Sequence, residues 1–206
     1  MKKLLILAAC ATLLNGCMAY TGIYKVGLKE VETPKNVKEQ YGDTRVVNFD
    51  DKGVTKYSYE DGLIKIIWLP QKNQFSFNLT NKSDHSIKII WDEAVYVDET
   101  GSSKKVFHSG VKYTDRTNSQ PPTTIVKGAN LDDLVMPTDN AYFVSGQYGG
   151  WQEKPLFINY SSTPEGLNAI KLSYIGKTVK VLLPIKIEET VNEYLFTFLI
   201  EDFISK

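Results

Sequence analysis

The sequence predicts a mainly β protein: an antiparallel β-sandwich with one short helix, preceded by an N-terminal signal and tether. Three observations carry this. From Val46 onward the apolar residues recur at every second position, the period of a half-buried strand rather than of a helix. Roughly ten such runs are separated by clusters of Gly, Pro, Asn, Asp and Ser, the spacing of a sandwich or barrel. The clearest helix start is Thr163-Pro164-Glu165, with Thr163 as cap and Pro164 in the first turn, and any helix there must end before Gly176.

At the N-terminus, Lys2 and Lys3 precede an apolar run from Leu4 to Leu14, which closes in Leu14-Asn15-Gly16-Cys17. A basic start, roughly ten apolar residues and small residues before a cut read as a secretory signal, and such a run is too short to span a bilayer. The closing residues resemble a bacterial lipobox, the motif at which signal peptidase II cuts before a lipid-modified cysteine. Asn15 is its one unusual occupant. The resemblance implies a signal peptide over 1–16, acylation of Cys17, and membrane lipid as a partner through that cysteine. Each buried methylene contributes about 0.8 kcal/mol, so the two or three chains of a bacterial lipoprotein hold firmly where one binds reversibly. Met18, rather than Asp, follows the cysteine, which resembles lipoproteins sent to the outer membrane. Residues from Met18 to about Arg45 are polar with weak periodicity and contain Pro34, so 17–45 reads as a lipidated tether and 46–206 as the folded domain.

Within that domain Val47 and Phe49 precede an Asp50-Asp51-Lys52-Gly53 turn. Tyr57 and Tyr59 alternate before Asp61-Gly62, a tight-hairpin signal. Ile64, Ile66 and Trp68 form the return strand, ended by Pro70. Phe75, Phe77 and Leu79 line the next, and Asn81-Lys82-Ser83-Asp84 turns the chain into Ile87, Ile89 and Trp91. Val95-Tyr96-Val97 follows, closed by Asp98-Glu99-Thr100-Gly101, with Val106 and Phe107 beyond. Ser109 to Asn140 is polar and holds Pro121, Pro122 and Pro137. Only Thr123 to Val126 looks extended in it, which makes it the largest irregular region. Strand character returns at Tyr142-Phe143-Val144 and at Leu156-Phe157-Ile158. In Val179 to Ile187 the odd positions are apolar, giving one buried face, and Pro184 favours an edge or a bulge. Tyr194 to Ile200 is apolar on both faces apart from Thr197, as in a central strand.

The stretch FSFNLTNKSDHSIKI, Phe75 to Ile89, followed by VYVDETGSSKKV, Val95 to Val106, resembles immunoglobulin-like domains of exported bacterial lipoproteins. The shared layout is strand, Asn-rich turn, strand, then an Asp-turn-Gly connection. The resemblance implies an immunoglobulin-like β-sandwich serving as a binding or assembly module.

Composition narrows the function classes. Removing Lys2 and Lys3 from 24 basic residues leaves 22 against 24 acidic ones, with no long run of one sign, which argues against a nucleic-acid partner. Cys10 leaves with the signal and Cys17 is consumed by lipid. The exported body then forms no disulfide and offers no thiolate to a metal.

No catalytic, cofactor or metal motif emerges. Gly176-Lys177-Thr178 resembles the end of a phosphate-binding loop, but Lys171 stands where that motif needs glycine. His85 and His108 are the only histidines, too few for a three-imidazole site. Ser109 beside His108 makes no triad, because strand neighbours point to opposite faces, and no G-x-S-x-G elbow occurs. The acid pairs Asp92-Glu93, Asp98-Glu99, Asp132-Asp133 and Glu188-Glu189 read as solvated turn residues, since adjacency alone does not place two carboxyls across a cleft and none shows the alternation of a calcium loop. Asn78-Leu79-Thr80 and Asn81-Lys82-Ser83 match a glycosylation pattern that is not usually used in a bacterial lipoprotein. The candidate binding loop is Ser145 to Lys154, where Tyr148 and Trp151 flank Gly149 and Gly150. Aromatic side chains on a glycine-jointed loop offer contact area to a protein, peptide or glycan. In the alternative reading Trp151 folds back to cap the sandwich. The expectation is a non-catalytic binding or assembly module of the bacterial cell envelope, lipid-anchored at the outer membrane. The alternative is a hydrolase of envelope polymers that works through carboxylates.

Overall fold

The computed structural model describes residues 19–33 and 44–206. Cys17 and the expected signal over 1–16 lie outside them. None of the helices in the described residues is long and apolar enough to cross a membrane.

The described residues are mainly β, with a curled antiparallel sheet and one α-helix. Its first half is a meander: β2 (Arg45–Asp51), β3 (Val54–Glu60), β4 (Ile64–Pro70) and β5 (Phe75–Asn81) pair in sequence order. The alternation legible in the sequence is the burial pattern observed. Ile64, Ile66, Trp68, Phe75, Phe77 and Leu79 all point inward, and the intervening residues do not. The second half is built on β14 (Thr178–Ile187) and β15 (Thr190–Ser205), which pair from Thr178↔Leu199 to Ile187↔Thr190. Val179, Val181, Leu183 and Ile185 line its buried face.

The two halves face each other through aromatic side chains. Trp68 lies 5.0 Å from Phe196 and 5.5 Å from Phe198 of β15, both edge-on, and Tyr59 meets Phe196 at 5.9 Å. Edge-to-face pairs of this kind contribute about 0.5–1.5 kcal/mol each beyond area burial. The turn between β3 and β4 is fastened to this core by Asp61. Its carboxylate accepts from the Leu63 and Ile64 amides at 2.8 Å and from the Tyr59 and Tyr194 hydroxyls at 3.0 Å.

Beside β14 run two short strands, β6 (Ile87–Ile89) and β7 (Val95–Val97), separated by a 3₁₀ turn over Trp91–Glu93. Pro184 sits opposite that break and accepts from the Ile90 amide at 3.0 Å. The proline is therefore tolerated in a strand paired on both sides, because the neighbouring strand is interrupted where its missing N–H would have donated. β8 (Ser103–Phe107) continues from β7 and pairs with β10 (Asn130–Pro137), which joins β5 and so connects the halves. β9 (Thr123–Ile125) pairs with β6.

Three expectations are corrected. Residues 20–32, read as tether, form β1 (Tyr20–Glu32), which pairs with β15 from Gly22↔Ser205 to Glu32↔Leu195 and brings the start of the folded domain to Tyr20. Two register shifts, at Lys25/Val26 and Leu28/Glu30, break its alternation, so a two-residue period does not reveal it. Residues 130–137 of the region read as irregular are β10, whose Asp132-Asp133 masks the flanking apolar positions. Leu156-Phe157-Ile158 is not a strand, although Phe157 is buried against Tyr24 at 5.6 Å. After it, β13 (Tyr160–Ser161) pairs with β1. α1 (Pro164–Tyr174) then starts where the sequence indicates, with the Thr163 hydroxyl accepting from the Gly166 amide at 3.0 Å.

Candidate functional site

The expected binding loop is a hairpin. β11 (Ala141–Val144) and β12 (Gly150–Glu153) form a two-stranded sheet apart from the main one, with Phe143 opposite Trp151 and Val144 opposite Gly150. In the connection the Gly149 amide donates to the Gly146 carbonyl at 3.0 Å. Position 149 admits only glycine, because a Cβ there would lie 2.1 Å from the Val144 carbonyl oxygen. Trp151 accordingly stands on a strand rather than in the loop.

Directly opposed residues of an antiparallel pair share a face. On that face the Trp151 ring meets Tyr113 at 5.6 Å and Phe143 at 5.7 Å, with the Arg116 guanidinium 4.8 Å from its centroid. A guanidinium so placed contributes about 0.5–1 kcal/mol at an exposed site. Arg116 is itself oriented, donating to the carbonyl oxygens of Tyr113 at 2.7 Å and Thr138 at 2.9 Å. The Tyr113 hydroxyl donates to Glu153 of β12, and that hydrogen bond raises its pKa above the ordinary tyrosine value. Asn73 donates to the other Glu153 oxygen at 2.8 Å.

Trp151 is thus half-buried, packed on Tyr113, Arg116 and Phe143. Tyr148 is 92% exposed, and Phe143, edge-on to Trp151, remains 61% exposed. Tyr142 is exposed too, its hydroxyl donating to Gln152 at 3.2 Å. Sequence reasoning passes over Phe143. The available signal was that three consecutive apolar residues on one short strand cannot all face one core.

The histidine and carboxylate candidates are tied into the framework. His108 stacks flat on Trp91, with centroids 4.1 Å apart and planes 2° from parallel, and its Nδ1 lies 3.1 Å from Asp133 Oδ2. Asp133 Oδ1 accepts from the Ser109 and Leu134 amides at 2.8 Å. Asp132-Asp133 is therefore no solvated turn: it lies on β10, with Asp133 buried and Asp132 accepting from Asn78 at 2.8 Å. Asp92 accepts from the Ser119 hydroxyl and the Gln120 amide, and these bonds lower its pKa. Burial pushes Asp98 upward, but its bonds from Thr100 and Ser102 prevail and hold it below the ordinary aspartate value. Glu188 and Glu189 do occupy the β14–β15 turn. The Gly176 amide donates to the Ile200 carbonyl and the Lys177 amide to that of Tyr174 at the helix end, so both are engaged in backbone hydrogen bonds. Among the described residues no three His, Cys, Asp or Glu side chains gather where a metal ion could sit.

Comparison with family models, with curated proteins and with solved structures found no match.

Proposed function

We propose that the chain is a lipid-anchored protein of the bacterial cell envelope, held at the outer membrane by acyl chains on Cys17, and that it works there as a non-catalytic binding or assembly module. The observation that carries the binding role is the pair of exposed aromatic side chains, Phe143 and Tyr148, on a hairpin where Trp151 packs on Phe143, Tyr113 and Arg116. Preorganised aromatic contacts bind a protein or glycan at low ordering cost. The carboxylates that a hydrolase would need, Asp92, Asp98 and Asp133, are engaged in local hydrogen bonds. The curled sheet is read more finely as an immunoglobulin-like sandwich, supported by the facing of β3–β5 against β14–β15. β1 begins three residues after Cys17, which keeps the domain close to the lipid surface.

Two measurements test this reading. Labelled palmitate should enter the wild-type protein and not Cys17→Ser. A photocrosslinker at position 148 in intact membranes should capture a discrete partner, and the adduct should vanish with Phe143→Ser. An unlabelled wild-type protein overturns the anchor. Turnover of a wall or sugar substrate without any adduct overturns the binding role.

A further inference from the structure

A cavity of about 790 Å³ lies between the start of β1, the end of β4 and the segment before β13. This is within the range of about 300–1,000 Å³ typical of small-molecule sites. Its wall is mainly apolar, with Tyr24, Val26, Leu69, Pro70 and Phe157 supplying much of it, and Ala19 stands in the same wall. Ile23, Val54 and Tyr160 line the cavity while remaining about half exposed, so it opens to the outside. Tyr20 and Ile204 extend the exposed apolar surface beside it. An apolar concavity continuous with exposed aliphatic and aromatic side chains is a docking feature rather than ordinary surface.

The position of Cys17 indicates the occupant. It is two residues before Ala19, so its sulfur lies within about 7 Å of chain length, plus its own side chain, of the cavity wall. We infer that the cavity receives one of the acyl chains carried on Cys17, sheltering it from water while the others remain in the bilayer. This inference rests on the lipidation proposed above. A tethered chain meets the cavity at an effective concentration of about millimolar, an advantage that free lipid lacks. The ligand class is a linear saturated chain: most of the wall offers aliphatic and aromatic contact, and Gln71, Lys72, Asn159 and Lys206 are among its polar members.

The test uses the full-length, processed protein from cells fed a fatty acid bearing a diazirine near its methyl end. After irradiation and digestion, mass spectrometry reads both the acylation of the Cys17 peptide and the sites of carbene insertion. Crosslinks from Cys17 to peptides containing Tyr24, Leu69 or Phe157 are expected. Leu69→Trp should cut them about tenfold, the scale of an overpacked contact. Val54→Trp, at an exposed position, should do the same without disturbing the core. Acylated Cys17 whose crosslinks fall on phospholipid alone overturns the inference and leaves the anchor standing. A Cys17 peptide without acyl chains overturns the anchor itself. In a further arm, Cys17→Ser protein is mixed with phosphatidylglycerol vesicles carrying the same diazirine. Wall labelling equal to that from the attached chain assigns the cavity to bilayer lipid and overturns the inference.

Discussion

Removing the Asp61 carboxylate is the most exacting perturbation of this fold. Asp61 is 2% exposed, and its two oxygens divide the work. Oδ1 takes the Leu63 and Ile64 amides and so shapes the β3–β4 turn, while Oδ2 takes the hydroxyls of Tyr59 and Tyr194. The second pair joins the meander to β15 across the core. Hydrogen bonds to a charged group contribute about 1.5–3 kcal/mol each, so the two phenol bonds represent about 3–6 kcal/mol, even if water recovers the turn amides. That is a large part of the total stability of an ordinary domain, about 5–15 kcal/mol. Asp61→Ala should therefore lose at least about 3 kcal/mol in urea denaturation, seen as a lower midpoint with an unchanged slope. Asp61→Asn keeps an oxygen for the turn and isolates the phenol contribution. Tyr194→Phe should cost about 1.5–3 kcal/mol, and its combination with Asp61→Asn should be clearly non-additive. A loss below about 1 kcal/mol for Asp61→Ala, or strict additivity of that pair, would refute the reasoning.

Further outcomes are expected. Gly22→Ala places a Cβ 2.2 Å from the Phe203 ring and 2.7 Å from the Ile204 carbonyl oxygen, so it should cost about 1–3 kcal/mol and speed hydrogen exchange over 20–32. Unchanged exchange there would mean that β1 is not docked on β15. Burial raises the hydroxyl pKa values of Tyr24, Tyr57, Tyr96 and Tyr174. Since the fold favours their neutral forms, that stability is complete below the unfolded tyrosine value of about 10 and is lost as pH rises through the raised values. Melting temperatures should fall steeply between about pH 10 and 12, and a flat profile would count against burial. Phe143→Ser should leave stability within about 0.5 kcal/mol, whereas Trp151→Ala should lose about 1–3 kcal/mol. Equal melting of the two variants would dissolve the distinction between exposed and half-buried aromatics.

Much of the fold is legible along the chain wherever pairing is local. The Asp50–Gly53 and Asp61–Gly62 turns, the Val179–Ile187 alternation and the Thr163 cap each arise from neighbours in sequence, and propensity, burial and turn chemistry agree there. β1 is hidden for two reasons: its bulges scramble the alternation, and its partner strand is far away along the chain. β10 is hidden because Asp133 is polar yet buried, a residue whose placement depends on His108 and on amides that only the folded corner brings together. The hairpin at Ser145 is readable from its glycines. That Trp151 packs on Tyr113 and Arg116 is not, since both lie more than thirty residues earlier.

The pairing of β1 with β15 has a kinetic consequence. Leu28 meets Phe198 at a sequence separation of 170 (198 − 28), so the first described strand cannot be zipped until almost the whole polypeptide has emerged. Such nonlocal closure slows folding, because the loop entropy must be spent before the contact rewards it. The docking of β1 on β15 is therefore a late step, after the local β2–β5 meander has paired. The timing of the chain's collapse is then set by its own topology.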